Sequence, residues 1–600
     1  MRDKVIQSEL QFIMRKWYEY LFIRHGIYAL IVAIWTTLMP TLAFAQSTTV
    51  RTSKELQAIL GQNKDFGVIL LDGDLFCIDN IDVLAGGVVK PATGRIPLIT
   101  GDMICLNKSE GVADEGRNTW RTKLEGFTRK DFYAMNASFE RVPISGIDGG
   151  LINVEFHERD VKILDKEKRK ISLPIPDNCP ELKNKSAAYF KNTTMKLSCW
   201  FHCMNVSGIY SDANRLYGYV EDNYSFQSLG QHSNMSMYGT FFNLPDVKDI
   251  VYVDKDNYIH VPNMYPSIYI GWTSTMMNIK TTRILTFKDI SFACSDLVVK
   301  MGNNTANKHF VNCGFSNCGK GIDFSNHVKD AEGNFSVDNC RFYDLYSNSA
   351  IYVMPVKNVT VSGNKIEHTG FLNKGGAVVS VSADNFTVEN NSIHDFSYNG
   401  IVSGIHMSHK DNNVIKGVIR NNMVDQGSRV YGNPACQLYD GGGIYIYGHV
   451  NSVLVENNII CNVGFHDGLR FGLYLDGGAY NVTARNNLVY HNYPGQAAIH
   501  ARYIVSEAPS DARNYFTGNI VVGDCVFGGN KTGAVPIVEG NYISGTVSQW
   551  NNNGVSISNN RTVKAKEEGD KVYIDRGVRI KKSNYSKMVR SIINNRKRLK

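Results

Sequence analysis

The chain has 600 residues, of which 43% are apolar and 20% charged, with a formal charge of +8 at pH 7. That length exceeds what a single compact core organises, so one small globule is excluded and several domains or a solenoid remain. The charge is local: residues 1–26 carry five basic and three acidic groups and residues 576–600 carry ten Lys/Arg and no acid, which leaves the body between them weakly acidic. A strongly anionic polymer such as nucleic acid is therefore not an expected partner of the body, whereas the basic C-terminal tail suits a membrane surface or an anionic polymer.

Arg15, Lys16 and Arg24 precede Ile27–Ala45, a run without a charged residue that ends Ala43-Phe44-Ala45 before Gln46. A basic flank, an apolar run and an A-x-A end predict a signal peptide or signal anchor over 1–45. Either form places the body outside the cytoplasm: periplasmic, secreted or membrane-anchored. Export permits disulfides among the twelve Cys. Cys199 and Cys203 flank His202, but no third or fourth ligand follows at metal-site spacing, so neither metal nor cofactor is expected.

Residues 46–104 read as an N-terminal cap and first coils. Ser53-Lys-Glu-Leu-Gln-Ala-Ile-Leu60 has an N-cap serine and helical apolar spacing, as a helix laid over an open sheet end requires. Residues 105–275 lose any regular spacing and predict a β-rich insert or long loops. Within it, Phe241–Pro262 reads as two short strands around Asp-Lys-Asp-Asn. Residues 561–600 read as a strand and a basic, helical tail.

Between them, residues 276–560 repeat one theme. Val-Ser-Gly-Asn364-Lys-Ile, Val-Glu-Asn-Asn391-Ser-Ile, Ile-Arg-Asn-Asn422-Met-Val, Val-Glu-Asn-Asn458-Ile-Ile and Ala-Arg-Asn-Asn487-Leu-Val recur at 27, 31, 36 and 29 residues. Asn312 and Asn339 extend the series upstream. Short β-branched strands at this period predict a parallel β-helix, with asparagine bends stacked into an amide ladder. Cys313 and Cys340 share one repeat position and are expected as stacked, buried thiols.

A second strand follows each bend. Aligned on its apolar residue, it projects two outward ladders: Asp323, Tyr352, Val378, His406, Tyr445, Tyr474, His500, and Ser325, Met354, Ser380, Ser408, Tyr447, Asp476, Arg502. The later coils carry the aromatic, histidine and charged members. The connection from Asn422 to Ile444, 22 residues, is the longest of the set and predicts a cleft wall. Adjacent-coil carboxylates beside Tyr and His suit glycoside hydrolysis, which needs a carboxylic acid for the leaving oxygen and a second carboxylate as nucleophile or base. Aromatic faces suit sugar rings. On straight strands Asp440 and Asp476 are offset by about 23 Å. The pair therefore requires Gly441-Gly442-Gly443 to fold back, or another acid, Asp467 or Glu456, as partner.

Asp440-Gly-Gly-Gly-Ile-Tyr, then Gly-Leu-Tyr-Leu-Asp476-Gly-Gly and Asn-Val-Thr-Ala-Arg-Asn-Asn-Leu-Val-Tyr, together resemble the right-handed parallel β-helix glycoside hydrolases, of the pectin-lyase-like superfamily and the xylosidase and fucosidase type. The segment Val247–Pro262 resembles the one those enzymes place before the helix resumes. The likeness covers roughly 240–505. It implies an all-β, right-handed parallel β-helix solenoid with an inserted β-rich subdomain. It also implies Asp440 and Asp476 as catalytic carboxylates, with Asp467 held as an alternative. The ladders add Tyr445, Tyr447, Tyr474, His500, Arg502 and His406 as substrate-binding groups, and the adjoining segment His466-Asp467-Gly-Leu-Arg470 adds His466 and Arg470. The expected function is an exported glycoside hydrolase acting on a poly- or oligosaccharide. A polysaccharide lyase or epimerase using Arg470, Arg485 or Arg502, and a non-catalytic polysaccharide-binding surface protein, are the alternatives.

Overall fold

The computed structural model describes residues 47–116, 118–127, 251–254, 256–302, 307–324, 331–373, 376–404, 415–427, 441–448, 452–463, 470–476, 479–491, 496–502, 512–528, 536–550, 554–568, 571–574 and 578–581, together with isolated strands between 152 and 242. The signal-like segment, the basic end of the tail, His406, Asp440, His466 and Asp467 lie outside the described residues.

The chain enters as Ser47–Val50, paired in parallel with Asp65–Leu71. Between them lies helix α1 (Ser53–Leu60). Its N-cap is Thr52 rather than Ser53. The Thr52 hydroxyl accepts from Glu55 N at 3.2 Å, and Glu55 Oε2 accepts from Thr52 N at 3.3 Å. Ser53 is not the cap because its hydroxyl is taken by Cys77 N, at 2.8 Å. Leu56 and Leu60 are fully buried on one face of the helix, each stabilising the cap by about 2 kcal/mol.

Each coil then contributes one strand to each of three faces. In one coil these are Gly441–Tyr447, Ser452–Glu456 and Ile459–Cys461; in the next, Arg470–Asp476, Val482–Arg485 and Leu488–Tyr490. Counterparts stack in parallel register: Ile444 on Leu473, Val453 on Val482, Ile459 on Leu488. The first two faces are hydrogen-bonded as one sheet of 24 strands, because Ile351–Ser362 and Ala377–Glu389 bend from one face onto the other; the third face has 13 strands. This is a parallel β-helix. Its interior is a continuous apolar column in which Phe292, Phe315 and Phe342 stack at 5.2 and 4.5 Å.

The doubled asparagines divide the labour of the bend. The first takes the left-handed conformation: φ is 57° at Asn390, 55° at Asn421, 56° at Asn457 and 61° at Asn486, with Gly363 in the same place at 68°. The second points inward and forms the ladder. Asn458 Oδ1 accepts from both N and Nδ2 of Asn422 at 3.0 Å, and Asn422 Nδ2 also donates to Val388 O at 2.8 Å. Asn312 and Asn339 do not extend this ladder. They hold the left-handed position, at 53° and 54°, and the ladder passes instead to Cys340 and Cys313. Cys340 N donates to Asn364 Oδ1 at 2.8 Å and Cys313 N to Cys340 Sγ at 3.4 Å, while the two thiols donate to Phe310 O and Phe287 O, each at 3.4 Å. Both are buried free cysteines, each thiol donating to the backbone carbonyl position that an asparagine amide reaches elsewhere in the ladder.

The stack resumes at Thr275–Ile279 and continues with Leu285–Lys288. Met277 stacks on Ile81 and Phe287 on Val89, so neighbouring coils enclose the excursion without a gap. The excursion opens and closes with Met103–Asn107 antiparallel to Ser267–Gly271. It carries an eight-stranded sheet whose buried residues include Trp120, Val251, Val253, Ile259 and Val261. Val251–Val253 and Ile259–Pro262 pair as a hairpin whose turn places Asn257 at φ 64°.

After Arg561–Thr562 the chain forms a three-stranded antiparallel sheet, Ala565–Glu568, Lys571–Ile574 and Val578–Lys581, and the stretch expected as a basic helical tail beyond it lies outside the described residues. Val572 and Ile574, then Val578 and Ile580, alternate with polar residues at period two, a strand pattern hidden by the basic composition.

Seven strands of the first face concern the site: β1 (Lys320–Phe324), β2 (Ile351–Ser362), β3 (Ala377–Glu389), β4 (Asn399–Ser403), β5 (Gly441–Tyr447), β6 (Arg470–Asp476) and β7 (Ala497–Ala501). Their outward ladder runs Asp323, Tyr352, Ser380, Val402, Tyr445, Tyr474, His500. Two expected members are displaced. Ser380 stands where Val378 is expected, and Val402 where His406 is expected. The sequence offers Gly-Ile twice, at Gly400-Ile401 and Gly404-Ile405. Gly404 has φ 132° and leaves the strand, so the first pair is the one in register.

Candidate functional site

A glycine column shapes the face. A methyl on Gly400 would lie 2.6 Å from Val424 Cγ1, on Gly443 2.5 Å from Ile460 Cγ2, and on Gly472 2.4 Å from Val489 Cγ1. The third sheet therefore presses directly against the strands here, and only glycine fits. Both Gly443 and Ile444 face inward, a local break in alternation. Past that break Tyr445 and Tyr447 face outward on β5, as do Tyr474 and Asp476 on β6, while Ile444, Ile446, Leu473 and Leu475 are buried inside.

Tyr445, Tyr447, Tyr474, Asp476, His500 and Arg502 are gathered on or beside three adjacent strands, as the ladders anticipate. Tyr445 OH donates to Asp476 Oδ2 at 3.1 Å. Arg502 Nη1 stands 3.5 Å from Asp476 Oδ1; the Asp476 side chain is 7% exposed and that of Arg502 29%. Each carboxylate oxygen thus faces a donor. The Tyr445 ring stacks on Tyr474 at 4.6 Å and 16°, and Tyr447 lies tilted against Tyr445 at 5.6 Å. Phe471 packs on Tyr474 at 4.5 Å and edge-on to His500 at 4.3 Å.

Tyr474 has no exposed surface. Its ring supports Tyr445 and His500 and offers no open platform to a sugar. His500 is buried beside it, and burial, with a lesser contribution from the Arg502 charge and opposed by Asp476, pushes its pKa down to about 4. It is a neutral imidazole at neutral pH.

The fold-back over Gly441–Gly443 does not occur. Gly441 pairs with Arg470 and Gly442 with Phe471 in one straight register that ends with Tyr447 against Asp476. Gly441 and Tyr447 are therefore about 20 Å apart. Arg470 opens β6 at the Gly441 end. Glu456 and Arg485 do not belong to the site. They face outward on the second face and pair with each other at 2.7 Å.

Two contributors escape the sequence reading. Phe471 sits before the break in alternation, where a period-two count places it off the face. Asn399 Oδ1 accepts from Gly442 N at 2.7 Å, tying β4 to β5. On earlier coils Glu367, His368, His394 and Asp395 form a separate cluster on the third face, with His368 bonded to Asp344 and His394 Nδ1 3.2 Å from Asp425 Oδ2. Among the described residues no three His, Cys, Asp or Glu are grouped to hold a metal ion.

Residues 278–460 match the family model described as right handed beta helix region. The chain carries a right-handed β-helix. Two solved structures resemble this β-helix protein. One is a glycoside hydrolase, at 12% identity with a TM-score of 0.42, the match covering 84% of this chain and 90% of that one. The other is the complex structure of XylC with xylose, at 11% identity and a TM-score of 0.30, covering 88% and 89%. No curated protein matches the sequence. Both structural likenesses are distant, and neither assigns a residue of the β-helix to a role.

Proposed function

We propose that this β-helix protein is a carbohydrate-active enzyme, a glycoside hydrolase working on the outer face of β5, β6 and β7. The observation that carries the reading is Asp476. It is a nearly buried carboxylate with a phenol on one oxygen and a guanidinium facing the other, in an aromatic row. A carboxylate that only accepts suits the nucleophile or base of glycoside hydrolysis, not the proton donor. His500, held neutral, supplies a hydrogen-bonding imidazole without a charge. Tyr447 and Arg502 are the partly open groups of the row and are assigned to the sugar.

The acid partner is assigned to Asp440 or Asp467. They precede β5 and β6 in the chain, and the first residues of those strands, Gly441 and Arg470, pair; the two acids themselves lie outside the described residues. The basic-then-apolar segment 1–45 supports export, and with it a substrate outside the cytoplasm.

Arg502 also favours a second reading, a lyase that binds a uronate carboxylate. Incubation with aryl glycosides, neutral oligosaccharides and uronate oligosaccharides separates the two. New reducing ends without unsaturation support the hydrolase. Ultraviolet-absorbing unsaturated uronate ends support the lyase. Absence of both sinks the catalytic reading.

A further inference from the structure

The same outward ladder that ends in the Asp476 site begins with a second arrangement of charged and aromatic groups. On β1, Asp323 points outward between the buried Ile322 and Phe324. The Asp323 side chain is 15% exposed: its Oδ1 is enclosed and meets no hydrogen-bond partner among the described residues, which leaves Oδ2, only 3.6 Å from Lys320 Nζ, as the oxygen offered to a ligand. Tyr352 of β2 stands directly opposite it on the next coil, half-buried, and Lys300 stands opposite it on the preceding coil, exposed. The Tyr352 hydroxyl is held above its ordinary pKa, first by burial and then by the Asp323 charge, so it remains a neutral donor. Between this group and Tyr445 the ladder carries only short side chains, Ser380 and Val402.

We infer that Asp323 and Tyr352 form a distal sugar subsite for the substrate of the Asp476 site; the inference rests on the carbohydrate reading above. A carboxylate oxygen held only by a loose ion pair takes sugar hydroxyl donors, and a phenol ring beside it packs on a pyranose face. Five coil steps separate Asp323 from Tyr474, about 24 Å at the ~4.8 Å spacing of parallel strands. A pyranose chain laid along the axis advances by about one coil spacing per ring. The substrate class is therefore a chain of about six sugars or more, bound lengthwise, and not a disaccharide.

The test compares full-length wild type with Asp323→Asn and Tyr352→Phe, using xylohexaose, cellohexaose, mannohexaose and the galacturonate hexamer with their disaccharides. Whichever hexamer is cleaved, the ratio of kcat/KM for hexamer over disaccharide should fall about tenfold in Asp323→Asn and less in Tyr352→Phe. An unchanged ratio overturns the subsite. If the wild type cleaves none of them, the hydrolase reading fails on its own, and calorimetric binding of the same hexamers decides the subsite. Binding weakened about tenfold by Asp323→Asn keeps it. Equal binding, or binding of none, overturns it.

Discussion

The Tyr445 hydroxyl donates to Asp476 Oδ2 at 3.1 Å across two adjacent strands. The same ring stacks at 4.6 Å on Tyr474, two residues before Asp476 on its own strand. The bond and the stack together fix the carboxylate and its donor, so neither depends on a mobile side chain. Tyr445→Phe keeps the stack and deletes the bond. A hydrogen bond to a charged acceptor contributes roughly 1.5–3 kcal/mol, so kcat/KM on the cleaved glycoside should fall about 10- to 100-fold, while thermal stability changes little. A large loss of melting temperature with an unchanged rate would make Tyr445 structural.

The ladder is tested by contrasting two of its members. Asn422→Ala removes the acceptor for Asn391 N and Nδ2 and the donor to Val388 O, all buried. With each orphaned group costing about 1–3 kcal/mol, the variant should lose about 3 kcal/mol or more in denaturant unfolding. Cys340→Asn should be tolerated within about 1 kcal/mol, because the thiol already occupies the amide's place. Cys340→Ala should cost more than Cys340→Asn.

Gly443→Ala forces a methyl to 2.5 Å from Ile460 Cγ2 and 2.8 Å from Val463 Cγ2. Overpacking of this kind costs about 1–3 kcal/mol. The strain falls on β5 two residues before Tyr445, so activity should drop together with melting temperature.

Two histidines should respond to pH with opposite sign. The hydrogen bond to Asp425 holds the His394 pKa above its ordinary value, against some burial, with Asp395 and Glu367 adding to the rise and Lys365 paired to Glu367 at 2.7 Å. The folded state binds that proton more tightly. The resulting stability is full below the unfolded pKa near 6.5 and is lost as pH rises through the folded value. Wild type should therefore exceed His394→Gln in melting temperature at about pH 5.5, with the gap closing by about pH 9. His500 runs the other way. Its pKa of about 4 means the unfolded chain takes the proton first, so stability falls as pH drops from about 6.5 towards 4. The loss is of order 2–3 kcal/mol, and His500→Gln should flatten it. A gap for His394→Gln that widens with pH would contradict the assignment.

The sequence made the solenoid legible because its two periods are physical necessities: alternation along a strand and a bend residue once per coil. The three strands with Tyr445, Tyr474 and His500 aligned correctly for the same reason, since Ile444, Leu473 and Ile499 must share the interior. Alignment failed at β4 because two Gly-Ile pairs compete there, and only backbone conformation at Gly404 distinguishes them. It failed at Asn312 and Asn339 because a single Asn before Cys looks like the second of a pair when the ladder atom is a sulfur. Phe471 was invisible because the glycine column breaks the alternation that would have placed it. The sheltering of Tyr474 could not be read either, since an outward residue is exposed only if nothing lies above it.

The central claim is that Asp476 is an essential carboxylate, and the most direct measurement is the single-turnover rate of Asp476→Asn against wild type on the best cleaved oligosaccharide. The substitution keeps the size of the side chain and an acceptor oxygen for Tyr445. Loss of about a thousandfold or more in rate, with substrate binding retained and the fold intact by circular dichroism, is the expected result. A folded Asp476→Asn that cleaves within about tenfold of wild type would contradict the account and move the chemistry off this face.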